Sequence, residues 1–294
     1  MKKNYVGPMY LTLAASIWGG MYVVSKYMLA SISPLALLWI RYLVALVSLA
    51  AFGVVTRQSW YIRKKYIPLI LSIGVIGYFV SIWAQFVGTQ LSSAQMGAVI
   101  TSATPAFMAI FARILLKEPI TVTKAIALAL ATVGVLLIIG IGDVGNLSKT
   151  GGGILVIAAL TWALMSVLIK KIPRHYSQLV VTTYGILLAV VLMTPLALSE
   201  FQSDEMQVLL QPAMGGGILY LGVASTAGAF YFWNKGLQLV DASRAGLYFF
   251  FQPLVGTFLG WLVLGEEVGL TFCMGTFLII SGVLLVLKGD GAEC

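Results

Sequence analysis

The sequence predicts an all-α polytopic membrane protein whose ten transmembrane helices form two inverted five-helix repeats. Composition is the first reason: 60% of the 294 residues are hydrophobic and 10% are charged, with a mean hydropathy of +0.99. Soluble domains carry about 25% charged residues, so lipid must cover most of this surface. The second reason is an internal repeat at half the chain length. The third is the side of the membrane to which the basic residues fall.

The repeat is visible as matching residues in a constant register. The segment Ala14–Lys26 recurs 144 positions later as Ala158–Lys170, with Ala, Ala, Trp, Met, Val and Lys coinciding. Further along the shift is 148, and it pairs Gly88, Pro105 and Glu118 with Gly236, Pro253 and Glu266. We place the two units at residues 1–142 and 148–294. Five helices per unit is an odd number, so the second unit enters the membrane from the opposite side, as in many secondary transporters.

Ten apolar runs of roughly 20 residues, the length that crosses the hydrocarbon core, are separated by charged residues, prolines and glycines. Helices are expected because lipid offers no partner to backbone polar groups. The predicted helices are Met9–Ala30, Pro34–Val55, Ile67–Gly88, Ala94–Leu116, Val122–Ile141, Gly151–Lys170, Ser177–Leu198, Ala213–Gly236, Ala242–Leu264 and Leu270–Lys288.

The basic residues predict the orientation. With both termini in the cytoplasm, the inner side holds fourteen Lys and Arg residues and the outer side holds two, Lys26 and Lys149. The basic start, Met1-Lys2-Lys3, resembles a signal peptide, but its repeat copy lies in mid-chain, so we expect a retained first helix. The predicted location is the cell (plasma) membrane.

Other classes of protein are disfavoured by the same inventory. The net charge of +8 sits in short loops, and this pattern does not indicate a nucleic-acid partner. The two cysteines and the single histidine, His175, have no metal-ligand spacing, so we expect no metal, no disulfide and no cofactor. A membrane enzyme or a non-transporting scaffold would be the alternative, but paired acids or a Ser/His arrangement for catalysis are missing.

Several motifs carry a family resemblance. They are the opening Ala15–Gly19 element, Gly236–Ser243, and the two half-chain endings that run from Pro105 to Leu137 and from Pro253 to Leu285. With these motifs the chain resembles the drug/metabolite transporter superfamily, specifically its EamA-type ten-helix members. The resemblance covers nearly the whole chain and implies a central cavity between the two units and export of amino acids, related metabolites or amphiphilic drugs. Gly19 becomes Ala163 in the second half, so the units are not equivalent in detail.

Two prolines in mid-span mark the candidate site. Pro105 and Pro253 are repeat mates, and each frees the carbonyl four residues earlier, so we assign them as hinges. A kink whose carbonyls are bound by neighbouring side chains is the structural alternative. Polar and aromatic residues at this depth are the candidate substrate-binding residues, with core packing as their alternative: Trp18, Tyr22, Tyr78, Thr101, Ser102, Trp162, Ser166, Tyr231, Tyr248 and Gln252.

Charged residues near the membrane add one more candidate. Arg41 lies within a span, where a charge needs a partner or a watery cavity, so we include it as a substrate-binding residue. It has no evident repeat mate. Lys26 could bind a substrate carboxylate or snorkel to headgroups, and Lys170 is expected to snorkel. Glu118 and Glu266 each precede a helix and are interpreted as caps joining helix 4 to 5 and helix 9 to 10, with proton coupling as the alternative.

Together these features predict a secondary transporter that exports a small metabolite, such as an amino acid, by alternating access. All ten carboxylates lie at or beyond helix ends, which disfavours the alternative of a multidrug exporter for amphiphilic cations. The expected partners are the small-molecule substrate and the lipid bilayer, with the protein a monomer or a homodimer.

Overall fold

A computed structural model of the chain describes residues 5–92, 97, 100, 101, 103–139, 146–200, 207, 209–264 and 270–289. Within these residues the chain is helical and contains no strand. Consecutive segments join into ten helices: α1 Val6–Met28, α2 Pro34–Val55, α3 Lys64–Leu91, α4 Thr104–Leu116, α5 Val122–Ile139, α6 Asn146–Ile169, α7 Gln178–Glu200, α8 Pro212–Leu239, α9 Ala242–Leu264 and α10 Leu270–Gly289. The predicted all-helical fold is therefore confirmed.

Local signals in the sequence explain where helices start. Helix α2 begins at Pro34, and the Ser33 hydroxyl accepts a hydrogen bond from the Ala36 N–H (3.3 Å), an N-cap followed by proline at the first position. Helix α8 also begins with a proline, Pro212. By length and apolar composition, five helices among the described residues could each cross a bilayer: Pro34–Val55, Lys64–Leu91, Thr150–Ile169, Gln178–Glu200 and Pro212–Leu239.

Helices α3 and α8 each contain a nine-residue π-helical stretch, which the sequence analysis did not predict. These stretches are Ile73–Ser81 and Tyr220–Gly228, and the repeat shift of 148 superposes them within one residue. A π-helix is rare and often marks a functional site, since its wider turn reorients backbone carbonyls. Its position in both repeats indicates that it is part of the architecture.

The two predicted hinge prolines lie in the first turns of α-helical stretches. Pro105 is in the first turn of α4, and Ala103, the residue that precedes α4, is in a turn. Pro253 is in the first turn of the α-helical part of α9, after a 3₁₀ stretch at Gly246–Phe250. Proline is tolerated in a first turn because its missing N–H has no intrahelical partner there. The departure from α-helix therefore precedes each proline.

Helices of one repeat pack mainly on helices of the other. Helix α1 contacts α8 and α9, while its mate α6 contacts α3 and α4. Helix α2 packs on α7 and α8, and α7 packs on α3, while α5 and α10 pair with each other. The core thus lies between the repeats, where six helices (α1, α3, α4, α6, α8 and α9) converge.

Glycines at equivalent positions allow the close helix crossings. A Cβ added at Gly74 would lie 2.8 Å from the Gly185 carbonyl oxygen, and one at its mate Gly222 would lie 3.0 Å from the Arg41 carbonyl oxygen. In the same way Gly88 of α3 approaches Gly151 of α6, as their mates Gly236 and Gly7 approach each other. Small residues let backbones approach in membranes, where packing replaces the hydrophobic effect between helices.

The first prediction concerns these crossings. Replacing Gly74 by Ala should lower the apparent melting temperature of the protein in detergent, because the added methyl group meets backbone that cannot rotate away. Overpacking of this kind costs about 1–3 kcal/mol. Gly216→Ala is the matched control, since nothing lies within 4 Å of its added Cβ and alanine favours a helix. Equal melting temperatures for the two variants would contradict the crossing geometry.

Candidate binding cavity

A cavity with an empty volume of about 360 Å³ lies where the six central helices meet. Each repeat contributes three equivalent helices to its wall. None of the described residues that line it is charged: Trp18, Met21, Tyr22, Ser81, Ile82, Gln85, Thr101, Thr104, Ala158, Ala159, Trp162, Phe230, Phe249 and Gln252. The cavity therefore has the character of a small-molecule site, which is mostly apolar with a few placed polar groups.

Aromatic rings form one side of the cavity. The repeat mates Trp18 and Trp162 meet edge to face, with centroids 5.3 Å apart at 90°. Phe249 stacks on Trp18 at 5.7 Å, and Phe230 lies 5.2 Å from Trp162. Edge-to-face and stacked pairs are the preferred geometries of aromatic rings. The two tryptophans thus meet at the repeat interface and do not face lipid.

Two polar contacts in the wall hold these side chains in place. Trp18 Nε1 donates to the Ser225 carbonyl oxygen (2.9 Å), which belongs to the π-helical stretch of α8. The Tyr22 hydroxyl and Thr101 Oγ1 are 2.7 Å apart, so α1 is joined to the chain just before α4. Both interactions are buried, where hydrogen bonds define a unique side-chain arrangement.

Two other polar atoms in the wall lack partners among the described residues. They are the Trp162 indole N–H, a donor, and the Gln252 carboxamide oxygen, an acceptor. Both side chains are at least nine-tenths buried. Buried polar atoms are normally paired, and an unpaired one costs about 1–3 kcal/mol. A ligand that accepts from Trp162 and donates to Gln252 would remove this cost.

Arg41 lies just behind the cavity wall and is fully buried. Its Nε donates to Thr226 Oγ1 (2.7 Å), and Nη1 donates to the sulfur of Met21 (3.6 Å), a wall residue. The guanidinium also lies 5.2 Å from the Phe86 ring centroid, within cation–π range. No carboxylate pairs with it among the described residues, so a positive charge is held next to a neutral cavity.

The repeat mate of Arg41 is Gly185, although no mate was evident from the sequence. Arg41 lies where α2 crosses the π-helical stretch of α8, next to Gly222. Gly185 lies where α7 crosses the π-helical stretch of α3, next to Gly74, the mate of Gly222. The facing residues, Thr226 and Tyr78, are also mates at the shift of 148. Arg41 faces the small Thr226, whereas the Tyr78 ring covers Gly185. In one half a large residue of α2 therefore faces a small residue of α8, and in the other half a small residue of α7 faces a large residue of α3.

Tyr78 is buried beside the cavity in a polar network. Its hydroxyl accepts from Asn234 Nδ2 (2.7 Å), which also donates to Thr182 Oγ1 (2.7 Å). The Tyr78 carbonyl, in the π-helical stretch of α3, accepts from the Tyr42 hydroxyl (2.7 Å). Tyr78 therefore supports the wall from behind, with its ring 5.1 Å from that of Phe230.

The predicted residues fall into groups. Trp18, Tyr22, Thr101, Trp162 and Gln252 line the cavity, and Arg41, Tyr78 and Ser166 are buried around it, Ser166 accepting from Trp233 Nε1 (3.2 Å). Outside its wall, Tyr248 stacks on Phe251, and Tyr231 lines a separate pocket. Ser102 lies outside the described residues. The repeat shift could have identified two wall residues that were missed, since Phe249 is the mate of Thr101 and Thr104 is the mate of Gln252.

Two mated lysines cap helix ends, a role that the sequence analysis did not predict for Lys26 or Lys170. Lys26 Nζ donates to the carbonyl oxygens of Thr89 (3.1 Å) and Ser92 (3.0 Å) at the end of α3. Lys170 Nζ donates to the Val240 carbonyl oxygen (2.6 Å) at the end of α8. The last carbonyls of a helix have no intrahelical partner and carry negative dipole charge, which a cation neutralises.

Glu118 is a cap, but the helix that it caps is α9 rather than α5. Its oxygens accept from the N–H groups of Ala242 (3.1 Å) and Ser243 (3.2 Å), in the first turn of α9. It also pairs with Lys170 (3.4 Å). The link from α4 to α5 therefore ties the end of α6 to the start of α9. Its mate Glu266 lies outside the described residues.

The environment of Glu118 shifts its acidity. Partial burial alone would raise the pKa of Glu118, but the Lys170 ammonium and the hydrogen bonds from Ala242 and Ser243 hold the pKa below its ordinary value. Burial lowers the pKa of Lys170, and the acidic neighbours Glu118 and Asp241 oppose this shift. Because its pKa lies below the ordinary value, Glu118 is ionised at neutral pH.

Comparison with known proteins gives the class of this chain. The EamA-like transporter family matches residues 6–140 and again residues 149–288. The chain belongs to this family. It is thus a multi-pass membrane transporter and not an enzyme, in agreement with the predicted resemblance.

Individual relatives agree with this assignment. The chain is 24% identical to an uncharacterized transporter of Archaeoglobus fulgidus, over 95% of this chain and 97% of that protein. It is 25% identical to the S-adenosylmethionine/S-adenosylhomocysteine transporter of Chlamydia muridarum, over 94% and 91% of the two chains. A segment of 75 residues, 26% of this chain, is 67% identical to the permease-like protein YdzE of Bacillus subtilis, covering 96% of that protein. A solved crystal structure has the same fold (TM-score 0.81, 17% identity, 99% and 100% covered).

The second prediction concerns Glu118. A carboxylate with a lowered pKa stabilises the folded state above its ordinary pKa of 4.5, and that stabilisation is lost as the pH falls through the lower folded value. Glu118→Gln should therefore lower the apparent melting temperature at pH 7, by an amount equivalent to about 1–3 kcal/mol. The difference from the unaltered protein should shrink as the pH approaches 4.

The control for this measurement is Glu200→Gln, which removes an exposed carboxylate at the last residue of α7. It should leave the melting temperature unchanged at both pH values. A Glu118→Gln effect that is the same at pH 7 and pH 4 would show that the charge of Glu118 does not stabilise the fold.

Proposed function

We propose that this transporter exports a small neutral or zwitterionic metabolite, such as an amino acid, across the plasma membrane. The substrate would occupy the cavity between the two inverted units, residues 1–142 and 148–294, with both termini cytoplasmic. The observation that carries the proposal is the aromatic cavity whose described wall residues are uncharged and include a donor, Trp162, and an acceptor, Gln252, with no partner among the described residues. An amino acid offers matching groups, since its carboxylate accepts and its ammonium donates.

The close packing of the rings around the cavity supports a small substrate. The Trp18 and Trp162 ring centroids are 5.3 Å apart, which leaves little room between the repeats. The Chlamydia relative named as an S-adenosylmethionine/S-adenosylhomocysteine transporter is a precedent for an amino-acid derivative as cargo in this family. Multidrug export of amphiphilic cations is less well supported, because Arg41 places a positive charge behind the wall at Met21.

Alternating access would use the elements that the two repeats share. The proline hinges at Pro105 and Pro253 lie where α4 and α9 depart from α-helix beside the cavity. Gly246 of α9 lies against Pro105, since a Cβ added at Gly246 would be 3.0 Å from the Pro105 Cα. A movement of one hinge would therefore displace the other. At the predicted cytoplasmic end, the Glu118–Lys170 pair would have to break or move with these helices for the cavity to open.

The third prediction tests the cavity. In liposomes containing the purified protein, a labelled panel of neutral amino acids should include at least one transported compound. Trp162→Phe and Gln252→Leu remove the free donor and the free acceptor, and each should reduce the rate of transport by about tenfold, the factor expected for one hydrogen bond to a ligand. Trp83→Phe is the control, because Trp83 is 43% exposed and lies outside the cavity wall.

Two results would overturn this proposal. One is transport of amphiphilic cations with no movement of any neutral or zwitterionic compound. The other is a transport rate that Trp162→Phe and Gln252→Leu leave equal to that of Trp83→Phe.

The fourth prediction tests the role of Arg41. A positive charge near the cavity favours a substrate carboxylate over an amide, so the unaltered protein should transport an amino acid faster than its amide. Arg41→Gln should reduce this preference by about tenfold, which corresponds to a Coulomb energy on the order of 1.4 kcal/mol. Replacing a buried unpaired charge by a neutral group is often tolerated, so the variant should fold. Lys64→Gln is the control. If Arg41→Gln prefers the amino acid over its amide as strongly as Lys64→Gln does, Arg41 does not act on the substrate carboxylate.

A further inference from the structure

A second pocket lies at the end of the bundle where the α2–α3 and α6–α7 links meet beside α8. It is open, with an empty volume of about 1,110 Å³. In contrast to the central cavity, its wall is mainly polar. The residues that line it are Gln58, Ser59, Tyr61, Arg63, Arg174, His175, Tyr176, Ser177, Gln178, Tyr231 and Lys235.

The charge of this pocket has one sign. Arg63, Arg174 and Lys235 come from three different parts of the chain, and no acidic residue is found among the described residues of the wall. The ion pairs found in the described ranges, Lys170–Glu118 and Arg244–Asp241, involve none of these three side chains. Their mutual repulsion favours binding of an anion, and low-dielectric walls strengthen this effect.

The floor of the pocket contains a polar side chain without a partner. Gln178 is 1% exposed, and neither its Nε2 nor its Oε1 atom has a hydrogen-bond partner among the described residues. Leaving an amide unpaired inside a protein is costly, so its two N–H donors point to a missing acceptor. Gln178 is also the first residue of the 23-residue helix α7, whose N-terminus has positive dipole charge.

The pocket borders a surface of lipid-facing character. Tyr231 in its wall contacts the Phe52 ring, with centroids 6.3 Å apart. Phe52 is 52% exposed, and Tyr61, another wall residue, is 72% exposed. Exposed aromatic residues next to basic ones are typical of the membrane–water interface. An amphiphile could therefore place its charged group in the pocket and its chains along α2.

We propose that this pocket binds a phosphate group, with Arg63, Arg174 and Lys235 as its cationic ligands and Gln178 as a donor from the floor. Arginine suits phosphate because its planar guanidinium donates two parallel hydrogen bonds. The phosphate can belong to the headgroup of an anionic phospholipid, for which basic pockets between membrane helices are known sites, or to free phosphate. This site is separate from the central cavity, and the inference does not depend on the proposed substrate.

The experiment uses the full chain purified in a neutral detergent. Native mass spectrometry measures binding of phosphatidylglycerol and of phosphatidylcholine, and the same titrations are repeated after adding inorganic phosphate. The pocket variant is Arg63→Gln/Arg174→Gln. The control variant is Lys64→Gln/Lys65→Gln, which removes the same charge from neighbouring residues outside the pocket wall.

The expected result is selective binding of phosphatidylglycerol that the pocket variant weakens by about 25-fold, since each basic residue contributes a factor of about five near an anionic group. The control variant should bind as the unaltered protein does. All four arginine and lysine positions are exposed, so melting temperatures should be equal across the proteins.

The remaining outcomes distinguish a phospholipid headgroup from free phosphate as the ligand, and they test the proposal. Displacement of phosphatidylglycerol by millimolar inorganic phosphate, or binding of phosphate alone that is lost in the pocket variant, would assign the site to free phosphate. Absence of selectivity for phosphatidylglycerol together with absence of phosphate binding would overturn the proposal. Equal weakening in the pocket and control variants would also overturn it, because net charge would then explain the binding.

Discussion

The structure depends on one constraint of the bilayer: every backbone carbonyl that an α-helix does not satisfy must find a partner inside the protein. Side chains of other helices donate to backbone carbonyls within the two π-helical stretches. Trp18 donates to Ser225 in the second repeat, and Tyr42 donates to Tyr78. The lysines at the ends of α1 and α6 do the same for the last carbonyls of α3 and α8. The Trp18–Ser225 hydrogen bond joins the two repeats, whereas the other contacts join helices of the same repeat.

The interface is symmetric in its backbone and asymmetric in its side chains. Glycines at equivalent crossings let the helix backbones approach closely in both halves. At the positions that flank the cavity, however, Arg41 faces Thr226 in one half and Gly185 faces Tyr78 in the other. Only one half therefore holds a charge at this position. The two repeats thus share the backbone arrangement around the cavity but differ in the side chains placed on it. In this way a symmetric scaffold can form an asymmetric binding site.

The polar groups of the protein are divided between distinct locations with distinct tasks. The central cavity is uncharged and aromatic, which suits a ligand that must bind and leave. Fixed ionic contacts lie at its periphery, where Glu118 joins α6 to α9 through Lys170, Ala242 and Ser243. Basic residues without an ion-pair partner in the described part of the chain gather in the pocket between the helix links. Arg41, behind the wall at Met21, is the exception to this separation, and its burial is costly because a buried ion loses several kcal/mol of solvation.

The sequence alone determined the helical fold, the two repeats and five residues of the cavity wall, because lipid solvation demands long apolar helices and because repeat mates occupy equivalent places. Trp18 and Trp162 were identified in this way. Only the tertiary structure decided which polar residues face inward: Tyr231 and Tyr248 share the composition of wall residues, but helix rotation turns them away from the cavity. It also decided that Glu118 caps α9 and that Lys26 and Lys170 bind carbonyls. Such contacts join residues up to 125 positions apart, and local pattern does not encode them.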